Sequence, residues 1–241
     1  MLRSSQNLPE RLDALRTRMA AAALAAGRNV DSVTLLAVSK GQPPELIRAA
    51  AAAGVSEVGE SYLAEALGKL EALNDLPLTW HFVGRLQANK TRQVAEHFAW
   101  VHGVDRLKIA ERLAAQRPYH APALNVCIQV NLADEAAKGG VPAEDAPALA
   151  AAVAALPRLA LRGLMCIPPE ETDPRQQREW FARLRTLEDS LNAGSLGLDT
   201  LSMGMSGDFE AAIQEGATLV RIGTALFGPR AGASPPGTIP P

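Results

Sequence analysis

The sequence predicts an α/β protein built as a single (β/α)8 (TIM) barrel. Three observations carry this expectation. Eight short apolar runs recur, each followed by a helical pattern or a short helical turn, and strands alternating with helices imply parallel pairing through crossovers. The runs are continuous rather than alternating, as in strands buried on both faces. The chain has 241 residues, close to the roughly 250 that such a barrel uses. A doubly wound open sheet is the alternative. It more often carries a glycine-rich turn after its first strand, whereas here that turn reads Ser39-Lys40-Gly41-Gln42-Pro43.

The elements follow in order. Leu8, Leu12, Leu15 and Met19 recur at helical spacing after a capping-box pattern of Asn7 and Glu10, and Gly27 supplies a stop, so a helix is expected over 7–27. Val33–Lys40 is the first strand, Pro43–Ala53 a helix and Glu57–Glu60 the second strand. Leu63, Leu67, Leu70 and Leu73 mark a helical face, Thr79–Gly84 the third strand and Asn89–His97 a helix. Trp100–Val104 and Leu124–Leu132 are strands flanking a helix over Arg106–Arg117. Ala143–Leu156 is a helix, Leu159–Ile167 a strand, and a long helix opens near Asp173–Pro174 with Trp180, Phe181, Leu184, Leu187 and Leu191 on one face. Thr200–Met205, a helix over Asp208–Glu215 and Leu219–Gly223 complete the barrel. Residues 1–228 thus form one domain, and 229–241, rich in Pro and Gly, are expected to be a disordered tail.

Composition narrows the function classes. Net charge is −2, with no long run of one sign, so neither nucleic acid nor an anionic membrane is an expected partner. Arg85, Lys90 and Arg92 read as a solvated helix start. The two cysteines, Cys127 and Cys166, lie in separate apolar runs and read as small buried hydrophobes in a reducing compartment. The N-terminus lacks the apolar core of a signal peptide. A cytoplasmic location is expected, and no metal-ligand pattern appears.

Active sites of such barrels lie at the C-terminal ends of the strands. Lys40 closes the apolar run LLAVSK. Desolvation there disfavours the ammonium and suits the amine to a Schiff base with a carbonyl; a lysine snorkelling to water is the other reading. The ends of strands seven and eight resemble a phosphate site. Ser206-Gly207-Asp208 opens one helix, and Gly223-Thr224 opens another turn. Glycine lets backbone N–H groups approach an anion, and the hydroxyls add donors; ordinary capping is the alternative. A Schiff-base lysine facing a phosphate cradle suggests an aldehyde-bearing phosphate, and pyridoxal 5′-phosphate (PLP) meets both requirements. Arg221 suits the pyridine nitrogen of such a ligand. It only donates, so it would leave that nitrogen unprotonated and the ring a weaker electron sink. An inward structural ion pair is the other reading of Arg221.

These stretches resemble the YggS/PROSC family of PLP-binding, or PLP homeostasis, proteins. LLAVSK, EVGESYLAEA, WHFVGRLQANK, RGLMCIPP and LSMGMSGDFEAAIQEGATLVRIGTALFG carry the resemblance, together with the VNL strand and Lys138-Gly139-Gly140, from about residue 33 to 228. It implies a barrel similar to the N-terminal domain of alanine racemase. It implies that Lys40 holds PLP, that Ser206, Gly223 and Thr224 hold its phosphate with Gly207 beside them, and that Arg221 faces the pyridine nitrogen. His81, Ser202 and Met203 would fall near the cofactor. Ser61 stands where the family commonly has Asn, and Gly41 where Thr is common after the lysine.

The resemblance implies a PLP carrier active in intracellular PLP homeostasis, without significant turnover. Its partners are PLP and apo PLP-dependent enzymes. A weak fold-type III racemase is the alternative, and an aldolase using Lys40 a third reading. Racemisation needs proton transfer on both faces of a carbanion. Lys40 serves one face, and His81 is the best remaining candidate for the other. Only a short segment follows the eighth strand, and the tyrosines are Tyr62 and Tyr119; no second, racemase-like domain is expected, and the chain is expected to be monomeric. An aldolase needs further acid/base groups, and the strand ends offer few carboxylates beyond Glu60.

Overall fold

The computed structural model describes residues 8–133, 135 and 138–229. The expected N-cap Asn7 and nearly all of the expected tail lie outside these residues. Helix α1 (Leu8–Ala25) buries the anticipated stripe of Leu8, Leu12, Leu15 and Met19. The barrel then runs β1 (Thr34–Val38), α2 (Pro44–Ala52), β2 (Glu57–Glu60), α3 (Leu63–Ala72), β3 (Thr79–Phe82), α4 (Thr91–His97), β4 (Trp100–Val104), α5 (Leu107–Gln116) and β5 (Leu124–Asn131). A short β6 (Val141–Pro142) and α6 (Ala146–Ala154) precede β7 (Leu159–Cys166), α7 (Pro174–Ala193), β8 (Thr200–Ser202), α8 (Phe209–Gln214), β9 (Leu219–Ile222) and α9 (Thr224–Phe227).

All pairings are parallel, and eight strands close into a ring. β1 joins β2 through Val38↔Gly59 and joins β9 through Leu36↔Arg221, while β4 and β5 complete the circle. β6 is an extra edge on β5, Val130↔Val141. The helix expected from Ala143 starts instead at Ala146, after a turn over 143–145 that follows β6. The ring is tight where β7 meets β8: a Cβ on Gly163 would lie 1.8 Å from the Thr200 carbonyl oxygen.

Helices and sheet share one apolar cluster, with Phe98, Phe181, Phe209 and Phe227 fully buried. In α7 the buried stripe is Phe181, Leu184, Glu188 and Leu191. Trp180 does not join it. It stands about 100° round the helix from Phe181 and is half-buried beneath the Arg183 guanidinium, 4.5 Å from the ring centre. Both cysteines are buried free thiols, and burial pushes the Cys166 thiol up to about 12, so neither is poised as a thiolate nucleophile. Among the described residues no helix is long and apolar enough to cross a membrane, and no group of His, Cys, Asp or Glu could hold a metal ion.

Candidate functional site

Parallel closure brings the C-terminal ends of all eight strands to one rim. Lys40 stands two residues after the end of β1 and is half-buried. It lines a cavity of about 1120 Å³ together with Ser61, Phe82, Gly84, Arg85 and Ile167. A clamp lies behind it. Lys69, on α3, donates to the Ser39 carbonyl oxygen at 2.7 Å, to Glu60 Oε1 at 2.7 Å and to Glu65 Oε1 at 2.5 Å. Ser39 Oγ donates to Glu60 Oε1 at 2.5 Å, and the Gly41 N–H to Glu65 Oε1 at 2.6 Å. Gly41 has φ +71°, a region that favours glycine, so the chain can turn sharply after Lys40. Glu60 and Lys69 are buried. Burial pushes the Glu60 carboxyl above its ordinary range, although Lys69 and Ser39 pull against it. Sequence reasoning missed Lys69; its only local signal is the i,i+4 spacing from Glu65.

The expected phosphate residues meet on the same rim. Ser206 Oγ accepts from the Ala225 N–H at 3.3 Å, joining the loop after β8 to the start of α9. Gly223 caps that turn, its carbonyl accepting from the Leu226 and Phe227 N–H groups. A Cβ on Gly223 would lie 3.1 Å from the Val38 carbonyl oxygen, so this turn packs against the end of β1, two residues before Lys40. Thr224 and Gly207 are exposed. A Cβ on Gly207 would meet nothing within 4 Å, so close backbone packing does not demand glycine there.

Arg221 lies deeper in the barrel, almost fully buried. Its Nη1 donates to Ser202 O at 2.5 Å and Ser202 Oγ at 2.9 Å, and its Nη2 to Cys166 O at 2.8 Å. These bonds engage three of its five N–H groups. The reading of Arg221 as half of an ion pair is not what is found: among the described residues it makes no salt bridge, and Asp208 acts on it only through space.

Two expected neighbours of the rim sit elsewhere. His81 pairs with Gly59, one residue before the end of β3, and both its nitrogens are engaged: Nε2 with Glu57 Oε2 at 2.6 Å, Nδ1 with His102 Nε2 at 2.9 Å. Glu57 opens β2 and lines a second cavity, of about 460 Å³, at the opposite end of the barrel with Thr34, Arg162 and Asp199. Met203 is fully buried in the apolar cluster that strands and helices share. Strand alternation sends the Ser202 side chain inward and the Met203 side chain outward, so Met203 is packing rather than lining. Ser202 is buried beneath the rim and bonded to Arg221. Neither His102 nor Glu57 was singled out by sequence reasoning.

Comparison with known proteins places these residues in a wider set. The family model for the N-terminal domain of alanine racemase matches residues 11–231. A pyridoxal phosphate homeostasis protein of Pseudomonas aeruginosa is 59% identical over 223 residues, covering 92% of this chain and 96% of that protein. Its Escherichia coli counterpart is 47% identical over 227 residues, covering 93% and 97%. The structure of PipY from Synechococcus elongatus with PLP bound superposes with a TM-score of 0.81 at 40% identity, covering 92% of this chain and all of that one. Alanine racemase from Corynebacterium glutamicum superposes at 0.67 and 19% identity, over 93% of this chain and 63% of the enzyme, a likeness of fold.

Proposed function

The chain belongs to the family of the alanine racemase N-terminal domain, and from that premise we propose that it binds PLP as a Schiff base and takes part in intracellular PLP homeostasis. One observation carries this reading. The Gly223–Thr224 turn packs against the end of β1, two residues before the half-buried Lys40, Ser206 bonds to that turn, and the buried Arg221 precedes it on β9. The PLP homeostasis proteins and PLP-bound PipY among its relatives support it.

PLP supplies an aldehyde for an amine and a ring that draws electrons from it. The residues of this chain fit that group. Lys40 offers the amine at the mouth of a cavity. Ser206, Gly223 and Thr224 offer a hydroxyl pair and backbone N–H groups to the phosphate, with Gly207 beside them. Arg221 has two further N–H groups for the ring nitrogen, and Ser61 borders the cavity.

The same residues favour holding over turnover. A racemase places an acid/base group on each side of the substrate carbon. His81, the best second candidate in the sequence, has both nitrogens engaged by Glu57 and His102. A cationic donor at the ring nitrogen, in place of an acid, weakens the electron sink. We therefore read the protein as a carrier that presents PLP to apo PLP-dependent enzymes; a cytoplasmic location and a monomeric state are expectations from its sequence.

The test is uptake. Purified protein mixed with PLP should acquire the absorbance of a Schiff base, and borohydride should fix the ligand's mass to the peptide bearing Lys40. Lys40→Ala should abolish both while the far-ultraviolet circular dichroism stays unchanged. Loaded protein should reactivate an apo PLP enzyme, and no amino acid should racemise measurably. Failure of the wild-type protein to take up PLP overturns the reading; racemisation at an ordinary enzymatic rate overturns the carrier assignment.

A further inference from the structure

Five side chains form a single file of hydrogen bonds through the barrel. Arg221 Nη1 lies 2.9 Å from Ser202 Oγ, Ser202 Oγ 2.8 Å from His102 Nδ1, His102 Nε2 2.9 Å from His81 Nδ1, and His81 Nε2 2.6 Å from Glu57 Oε2. Arg221, Ser202, His102 and His81 are all buried. The Glu57 side chain is a quarter exposed, at the opposite mouth.

Chemistry at the two ends assigns every proton in between. A guanidinium only donates, so Ser202 Oγ accepts from Arg221 and gives its own proton to His102 Nδ1. A neutral His102 then carries its proton on Nε2 and donates it to His81 Nδ1. His81 in turn carries its proton on Nε2 and donates to the Glu57 carboxylate. Starting from Glu57 yields the same order. The ionisation states agree. Burial holds both imidazoles below the usual histidine range, His102 well below it. Burial pushes Glu57 up, but bonds from His81, Thr79 and Ser56 outweigh it and keep the carboxyl below its ordinary value.

Every donor in the file points the same way, from the cation to the anion. Such aligned bonds polarise one another in a low dielectric. The arrangement is also unusual for its place. Barrel interiors of this kind are filled mainly by Val, Ile and Leu, and a buried polar file costs stability unless every member is satisfied. Here every member is satisfied, and the file ends on the one buried guanidinium assigned to the ligand.

We propose that Glu57, His81, His102 and Ser202 are positioning residues that fix Arg221 as donor to the ring nitrogen of PLP, with Glu57 its remote counter-charge. This rests on the reading that PLP lies above Arg221. Three N–H groups of Arg221 are tied down by Ser202 and Cys166, which leaves two for the ligand.

The test uses PLP and an analogue in which a carbon replaces the pyridine nitrogen, with aldehyde and phosphate kept. Wild-type protein should bind PLP more tightly than the analogue. Glu57→Leu and His102→Leu should lose roughly three- to tenfold in PLP affinity, the size of one ordinary hydrogen bond, with the analogue unaffected. His102→Gln should recover much of the loss, since its amide accepts on one side and donates on the other. Glu57→Gln keeps an acceptor for His81 and removes only the charge. Should the leucine variants fail to fold, this quarter-exposed position still reports, through a smaller loss confined to PLP. Variants that keep the wild-type preference for PLP, or that lose both ligands equally, overturn the relay and leave PLP binding standing. Equal binding of both ligands by the wild type removes Arg221 from the ring nitrogen, and the relay with it. Uptake of neither overturns the proposed function itself.

Discussion

Lys69 Nζ donates a 2.7 Å hydrogen bond to the carbonyl oxygen of Ser39, the peptide immediately before Lys40. The two groups are 30 residues apart and both are buried. The same ammonium pairs with Glu60, whose side chain is fully buried. Lys69 therefore holds the backbone that presents Lys40 without being part of the rim itself.

Lys69→Met should destabilise the protein by about 3 kcal/mol, because it strands a buried carboxylate. Urea unfolding of the protein without added PLP measures this. Adding Glu60→Gln should restore part of the loss, since a neutral amide replaces the stranded charge. Both variants should bind PLP more weakly than wild type, because the Ser39 carbonyl is released.

Gly84→Ala should disturb the same rim from the other side. Its Cβ would lie 2.3 Å from the Ser61 carbonyl oxygen, and backbone must move to admit it. A cost of roughly 1–3 kcal/mol is expected, as for other overpacked sites, with weaker PLP binding as Ser61 is displaced. Gly68→Ala is the control: the site is in α3 with open space around it, and the change should stabilise by about 0.5–1 kcal/mol. Thermal melts of the two variants should move in opposite directions.

Ser206→Ala should separate phosphate recognition from aldehyde capture. Its hydroxyl already accepts from the Ala225 N–H and has a proton left to donate. PLP affinity should fall by roughly ten- to a hundredfold, the size of a hydrogen bond to a charged group. Affinity for pyridoxal, which lacks the phosphate, should not change. Equal losses for both ligands would remove Ser206 from the phosphate.

Three buried groups, one carboxyl and two imidazoles, give stability opposite slopes with pH. Burial, with Asp189 and Asp199 nearby, raises Glu188 from 4.5 to about 7. The folded state then keeps a proton that the unfolded chain has already released, so stability falls as pH rises through that window. Glu188→Gln should therefore raise the melting temperature more at pH 8 than at pH 5. His81 and His102 are lowered from 6.5 by burial. The unfolded chain takes up protons there that the folded one refuses, so stability falls as pH drops below 6.5. His102→Gln should make that fall shallower.

Much of this was legible in sequence order. Eight apolar runs and their intervening helical faces anticipated the closed ring, because strand and helix periods are local properties of consecutive residues. The same locality marked Lys40, Ser206 and Gly223, polar or glycine residues where apolar runs end, and Arg221, a charge carried within the last run. Lys69 escaped notice because it stands in a helix among leucines, and nothing local tells a buried lysine from a solvated one. His81 was legible as a polar residue within the third strand, expected near the ligand. Its partners were not, since strand alternation names the face of a side chain but not what stands opposite. Met203 shows the converse: its motif suggested a place by the ligand, whereas one step of alternation turns it into the packing layer.

The sequence by itself determined the architecture and the polar residues at the strand ends. Only the tertiary structure decided how those residues are held. His102 and Ser202 are 100 residues apart yet bonded at 2.8 Å, and Lys69 reaches the Ser39 carbonyl from a different element. Such pairs form only when the sheet closes on itself and the helices fold back over it. Periodicity carries no record of that closure, which is why the support for Arg221 and Lys40 emerged from the fold alone.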